Sequence, residues 1–159
     1  MTRLAALLDP SRVAVLDFLP DGRAGLLRLL GERLADPSAI PGLDAAAIAG
    51  ALAAREQLAT TAIGEGLAFP HARLPGLSAA RAAVLLLPPP GLDLGATDGL
   101  PVRLVVALVV PPDSVGEHLR RLGAFSRRLR DPEARRALLD CTDAADLLRR
   151  LGEIDVHSR

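Results

Sequence analysis

Two apolar runs constrain this chain more than anything else in it. Residues 82–87, AAVLLL, and 102–110, VRLVVALVV, are dominated by valine, leucine and alanine, and consecutive prolines cut each one off, at 88–90 and 111–112. Neither run alternates apolar with polar residues. Both therefore read as strands buried on two faces at the centre of a sheet, and proline ends each because it brings no N–H to the ladder. Helices are available to cover such a sheet. After a short apolar strand at 13–18, Pro20-Asp21-Gly22 forms a turn with Asp21 placed to cap a helix. Leu26, Leu27, Leu29, Leu30 and Leu34 then keep helical spacing to about Ala35, until Asp36-Pro37 and Pro41-Gly42 break the pattern. A second helix starts near Asp44. Leu119, Leu122, Phe125 and Leu129 mark a third over 116–129, and two more follow at 132–139 and 144–151, opened by Asp131-Pro132 and Thr142-Asp143. Strands interleaved with helices predict an α/β fold, a single-domain α/β sandwich with a mixed β-sheet flanked by helices. With 159 residues one domain is expected, over 1–153, with 154–159, including His157, as a flexible charged tail.

Several function classes are disfavoured by composition. The apolar runs are far shorter than the roughly 20 residues of a membrane span, and the N-terminus lacks a credible cleavage site, so a cytoplasmic protein without direct membrane insertion is expected. Cys141 is the single cysteine and reads as a small core residue in a reducing compartment. Nineteen arginines balance nineteen acids, so no net field draws the chain to nucleic acid; Arg120, Arg121, Arg127, Arg128, Arg130, Arg135 and Arg136 read as a solvated helix face. Three phenylalanines, with no tryptophan or tyrosine, supply no stacking platform for bases or sugar rings. Gly64-x-Gly66 lacks the third glycine and helix of a dinucleotide fingerprint, a Walker-type motif needs a lysine that is absent, and His71, His118 and His157 lack zinc spacing. No cofactor and no metal are expected.

The stretch TAIGEGLAFPHARLPGL, residues 61–77, holds the one histidine with a stiff mounting. Pro70 fixes its own φ and pushes Phe69 to an extended conformation, and Pro75-Gly76 closes the loop soon after His71. Stiffness suits a nucleophile that must face a phosphorus atom in line, because phosphoryl transfer is mostly positioning and charge stabilisation. Such an imidazole must be neutral at the attacking nitrogen, with its other nitrogen hydrogen-bonded to fix the tautomer. The phosphoryl oxygens need cationic donors. Arg73 follows His71 closely, and Arg55 lies seven, four and three positions beyond Ile48, Ala51 and Leu52, continuing their inward stripe. Each residue also has a plainer reading: Arg55 as a cation at a helix C-terminus, Arg73 and Glu65 as solvated charges, Thr61 as a turn residue, His118 as a surface group on a first helical turn.

Arg55-Glu56 followed by residues 61–73 resembles the phosphorylation-site signature of enzyme IIA domains of the fructose/mannitol type, from the bacterial phosphoenolpyruvate-dependent phosphotransferase system. Further along, Asp-Gly-Leu-Pro-Val at 98–102, Val-Val-Pro-Pro at 109–112, Glu-His-Leu at 117–119 and Leu-Arg-Asp at 129–131 occur in the order and spacing of that family, so the resemblance spans nearly the whole chain. The short length, without fused IIB, IIC or HPr-like segments, most resembles the nitrogen-regulatory branch. The resemblance implies a phosphotransferase in which His71 takes a phosphoryl group from the phosphohistidine of an HPr-type phosphocarrier. It then passes the group to a IIB protein in sugar transport or holds it as a signal. The alternative is a regulatory binding module, without sugar transport, whose contacts with a transporter or kinase are switched by His71 phosphorylation. The resemblance also implies that Arg55 and His118 share the site, that Glu65 contacts the imidazole or the incoming carrier, and that Thr61 lines the pocket. Departures from the family pattern are Phe69 where a smaller aliphatic is commoner, Gly95 where an acidic residue often precedes Asp98, and the stiffening prolines at 88–90.

Overall fold

A computed structural model describes residues 3–36 and 43–156. Two 3-10 turns, Leu4–Leu7 and Pro10–Arg12, lead into strand β1 (Val13–Val15), followed by helices α1 (Gly22–Leu34) and α2 (Ala45–Leu58). Three short strands come next, β2 (Ala62–Gly64), β3 (Leu67–Ala68) and β4 (His71–Arg73), then the two long ones, β5 (Arg81–Leu86) and β6 (Leu104–Val110). A 3-10 turn at Pro112–Ser114 leads into α3 (Val115–Arg128), α4 (Pro132–Leu139) and α5 (Ala144–Val156).

The sheet is open and mixed, in the order β1-β5-β6-β3-β2, with β4 also pairing to β6. β5 and β6 run antiparallel with Val84 opposite Val106, whereas β1 on β5, and both β3 and β4 on β6, are parallel. Every residue of β6 is buried, as its unbroken apolar run requires. Alternation along β5 and β6 divides the core in two. Ala83, Leu85, Val105, Ala107 and Val109 meet Leu26, Leu30, Ile48 and Leu52 of α1 and α2. Val84, Leu86, Leu104, Val106 and Leu108 meet Leu122, Phe125, Leu138, Leu147 and Leu151 of α3, α4 and α5. At about 1.5–3 kcal/mol for each fully buried leucine or valine, these two layers supply most of the drive to fold. On the first layer, α1 and α2 cross where Gly31 approaches the carbonyl of Ala45 so closely that a methyl group at position 31 would stand 2.4 Å from that oxygen.

The expected architecture stands, with local corrections. The strand expected over 13–18 is only Val13–Val15, and Phe18 is exposed. Asp21 occupies the N-cap position of α1 but makes no side-chain cap bond, whereas Asp44 and Asp131 do, accepting from Ala47 N at 2.9 Å and Glu133 N at 3.2 Å. Residues 154–156 of the expected tail are helical: α5 continues to Val156, and the buried Asp155 accepts a bond from Ala5 N at 2.7 Å, tying the last helix to the first turn. Pro37, Pro41, Gly42 and His157 lie outside the described residues.

The largest correction concerns 61–77. Its first half is the hairpin of β2 and β3, where Glu65 and Gly66 both take positive φ, +58° and +77°, as a two-residue I′-type turn demands, and His71–Arg73 in its second half form β4. Glu65 pays for that conformation through Asp98, whose carboxylate accepts its N–H at 2.7 Å and that of Leu100 at 3.0 Å. These two bonds hold the Asp98 carboxyl below the usual range.

Candidate functional site

β4 carries the histidine, and β6 holds β4 in place. His71, Ala72 and Arg73 pair with Leu108, Val109 and Val110, and the Leu108 and Leu74 amides extend the ladder to the Pro70 and Val110 carbonyls at 2.9 and 3.0 Å. Strand alternation sends Ala72 into the core and leaves His71 and Arg73 together on the other side of the strand. They open onto a cleft of about 610 Å³ between the end of α2 and the start of α3, whose walls include Ala51, Arg55, Leu58, Val115 and Leu119.

Two bonds set the state of the imidazole. His71 Nδ1 lies 2.9 Å from the carbonyl oxygen of Phe69, which can only accept, and Arg55 Nε lies 3.3 Å from Nε2 and can only donate. Together they place the proton on Nδ1 and a lone pair on Nε2. The carbonyl is itself well anchored. Phe69 is extended before Pro70, its N–H donates to the Thr61 carbonyl at 3.0 Å, and its ring is buried edge-on against Phe125 with centroids 6.4 Å apart. The phenylalanine that departs from the family pattern thus clamps the backbone that orients the histidine.

Arg55 does both things its position suggested. While Nε reaches the imidazole, Nη1 donates to the Ala59 carbonyl at 3.0 Å and so satisfies the C-terminal end of α2. Arg73 lines the cleft and is exposed. Glu65 and Thr61 do not reach it. Glu65 sits on the hairpin turn and pairs with Arg135 Nη2 of α4 at 3.2 Å, and Thr61 is buried behind α2, its hydroxyl donating to the buried Glu56 carboxylate. The expectation that Thr61 lines the pocket is therefore corrected, and of the two contacts expected for Glu65, the imidazole or the incoming carrier, the first is not made. The Glu56–Thr61 bond instead straps the end of α2 to the start of β2, which sets the spacing between Arg55 and the hairpin.

His118 is buried in α3, three residues after Val115 and one before Leu119; those two line the cleft and His118 does not. It is no surface group. Its Nδ1 is hydrogen-bonded to Arg121 Nη1, and Arg121 Nη2 donates to Glu117 Oε1 at 3.1 Å. Burial lowers the His118 pKa, Arg121 lowers it further, and Glu117 opposes them. Arg121 is only 4% exposed, so the arginine run is not a uniform solvated face: Arg120, Arg127, Arg130 and Arg136 are exposed, but Arg121 is in the interior. Cys141 is a buried free thiol, its pKa raised to about 11 chiefly by burial. Among the described residues no three histidine, cysteine or acidic side chains are arranged to hold a metal ion, and no helix is long and apolar enough to cross a membrane. The contributions of Phe69, Glu56 and Arg121 escaped the sequence reading. Only the departure at Phe69 was a signal, since partners such as Phe125 are far away along the chain.

A three-layer α/β domain with a strand-mounted histidine between two helix ends, one arginine on its free nitrogen, defines a class that comparison identifies. Residues 22–153 match the family described as phosphoenolpyruvate-dependent sugar phosphotransferase system, EIIA 2, and the chain belongs to that family. Among its relatives, a nitrogen regulatory protein of Pseudomonas aeruginosa is 36% identical over 151 residues, 94% of this chain and 88% of the relative. The fructose-specific EIIA component of the phosphotransferase system in Haloferax volcanii is 31% identical, with 84% of each chain covered. In three dimensions, the crystal structure of nitrogen regulatory protein IIA-Ntr from Neisseria meningitidis superposes with a TM-score of 0.83 at 30% identity, over 93% of this chain and 98% of that one. IIA mannitol from Escherichia coli shares the fold, with a TM-score of 0.70 at 20% identity over 91% of this chain and 98% of that one. These relatives place the chain with the nitrogen-regulatory branch of the IIA domains.

Proposed function

We propose that His71 Nε2 is a phosphoryl acceptor, charged by the phosphohistidine of an HPr-type carrier. The observation that carries this reading is the state of the ring: a proton held on Nδ1 by the Phe69 carbonyl, and an Nε2 lone pair facing Arg55 at the cleft. The Nε2 lone pair forms the new N–P bond as the N–P bond of the donor ring breaks, and the donor nitrogen keeps the electron pair. A donor ring protonated at its remote nitrogen departs as neutral imidazole. His71, keeping its Nδ1–H, takes up the positive charge against the Phe69 carbonyl dipole. No proton changes hands. Arg55 and Arg73 line the same cleft as His71, which supports a role for both in taking the charge spread over the three equatorial oxygens. An open cleft flanked by exposed apolar side chains, Leu58 at 82% and Leu119 at 43%, suits a docking protein better than a small substrate, which an enclosed pocket would bury.

What happens to the phosphoryl group next has two readings: delivery to a cysteine of a IIB protein, or retention as a mark. The nitrogen regulatory proteins among the relatives favour the second. A phosphate on His71 would place about −1.5 to −2 charges between Leu58 and Leu119, repelling a transporter or kinase that packs apolar groups there. The test is incubation with phosphoenolpyruvate, enzyme I and an HPr-type carrier, followed by intact mass measurement. One acid-labile phosphoryl group is expected, and none on His71→Ala. Label surviving in that variant, or failure of the wild-type chain to label with a competent carrier, defeats the proposal.

A further inference from the structure

The hydrogen bonds around His71 close into a circuit, and a buried carboxylate completes it. Phe69, whose carbonyl holds the Nδ1 proton, is itself held by its N–H, which donates to the Thr61 carbonyl at 3.0 Å. Thr61 is held in turn by Glu56: its hydroxyl donates to Oε1, and its N–H lies 3.3 Å from both carboxylate oxygens. Glu56 follows Arg55 in α2, and Arg55 Nε returns to His71 Nε2 at 3.3 Å. Both nitrogens of the imidazole are thus referred to adjacent residues of one helix, Nε2 directly through Arg55 and Nδ1 by way of Phe69, Thr61 and Glu56.

Stability alone gives no reason for a carboxylate at that place. Glu56 is 8% exposed, and among the described residues all its hydrogen bonds come from Thr61, with no cation paired to it. It sits in the last turn of α2, where the helix dipole opposes a negative charge, and a buried charge is costly unless its oxygens are bonded. An apolar side chain of the same size would avoid both penalties. What the carboxylate supplies is direction, since its two oxygens take both donors of Thr61 and fix the turn between α2 and β2 in one place. We propose that Glu56 is a positioning residue for phosphoryl transfer: by fixing Thr61 it holds the Phe69 carbonyl and Arg55 in register on the two sides of the His71 ring. Misplacing a reacting group by about 1 Å costs about a hundredfold in rate, so a strap that prevents a fraction of that shift is worth about tenfold. The effect on rate rests on the reading of His71 given above; the effect on the ring does not.

Ring state and rate are read separately. In the double variant Glu56→Leu, Thr61→Val both partners become apolar, so no buried charge or hydroxyl is left unpaired and the fold should hold, with a melting temperature near that of wild type. Long-range proton–nitrogen correlation spectra of the nitrogen-15 labelled full chain, recorded without phosphate above the pH at which the ring charges, should show wild-type His71 with a pyrrole-type Nδ1 and a pyridine-type Nε2, and the double variant as a mixture of tautomers. Single-turnover labelling by a phosphorylated HPr-type carrier should slow about tenfold, with the carrier concentration for half-maximal rate unchanged. If the double variant does not fold, Thr61→Val alone, which removes one hydroxyl, should show both effects, and Thr61→Ser, which brings the hydroxyl back, should reverse them. A folded variant that keeps the wild-type ring spectrum or the wild-type rate refutes positioning, and so does a changed half-maximal concentration, which would put the strap in carrier docking instead. The reverse pattern in wild-type His71 overturns the circuit itself. A wild-type chain that shows the expected ring state but never labels defeats the phosphoryl-acceptor reading and leaves the hold on the ring standing.

Discussion

Removing the Arg55 side chain separates a role in transfer from a role in the fold, because its two contacts serve different ends. Nε meets the imidazole at 3.3 Å, a long and weak bond in the resting state. In the transition state the same guanidinium would bond charged phosphoryl oxygens, worth about 1.5–3 kcal/mol against about 0.5–1 kcal/mol for the resting contact. The difference, about 1–2 kcal/mol, predicts that Arg55→Ala slows phosphorylation of His71 by about 5- to 30-fold at a barrier change of 1.36 kcal/mol per decade. Arg55→Lys should recover part of the loss, since an ammonium restores charge without the planar fork. The second contact, Nη1 to the Ala59 carbonyl, is exposed at a helix end and contributes no more than about 1 kcal/mol, so melting should fall by about 2–4 °C or less. The assay is rapid quench with saturating phosphorylated carrier, read by intact mass, beside a thermal melt on the same samples. A rate within twofold of wild type refutes the role of Arg55. A slow rate accompanied by a large fall in melting temperature would assign the loss to misfolding and equally sink the argument.

Three further outcomes follow from the geometry. Gly31→Ala gains about 0.5–1 kcal/mol of helix propensity but drives a methyl group to 2.4 Å from the Ala45 carbonyl oxygen, and overpacking of about 1–3 kcal/mol wins; the denaturant midpoint should fall, and a rise would contradict the tight crossing of α1 and α2. Asp98→Ala should lower the hydrogen-exchange protection factors of the Glu65 and Leu100 amides, taken against intrinsic rates at the same pH, while leaving those of β5 and β6 unchanged, and acid should do the same: the carboxylate is favoured by the fold, so its contribution is present above the unfolded value of 3.8 and lost as pH falls through the lower folded value. Unaltered amide exchange in the variant would deny that Asp98 secures the hairpin. His118 is also depressed, by burial first and Arg121 second, so its unfolded form binds the proton that the folded form refuses; stability should decline as pH falls from about 6.5 toward the lower folded value, and chemical denaturation of His118→Gln should show a shallower decline over that window.

The amino-acid sequence by itself determined the elements that rest on local regularity. β5 and β6 are unbroken apolar runs ended by proline, α1 and α3 keep their leucines at helical spacing, and Asp44 and Asp131 cap where the chain says they should. His71 was legible for the same reason, as prolines constrain their neighbours whatever the fold. Only the tertiary structure decided which groups meet. β2, β3 and β4 are too short to show a period: β3 and β4 exist because β6 offers them a ladder, and β2 because it pairs back on β3 through a turn that Asp98, 33 residues on, holds. Whether Arg55 points at His71, why Phe69 outlines the ring's tautomer, and that Arg121 turns inward while Arg120 faces water all depend on packing between residues distant along the chain. Periodicity assigns a side chain to a face of its element, and the angle at which two faces meet is set by the core between them.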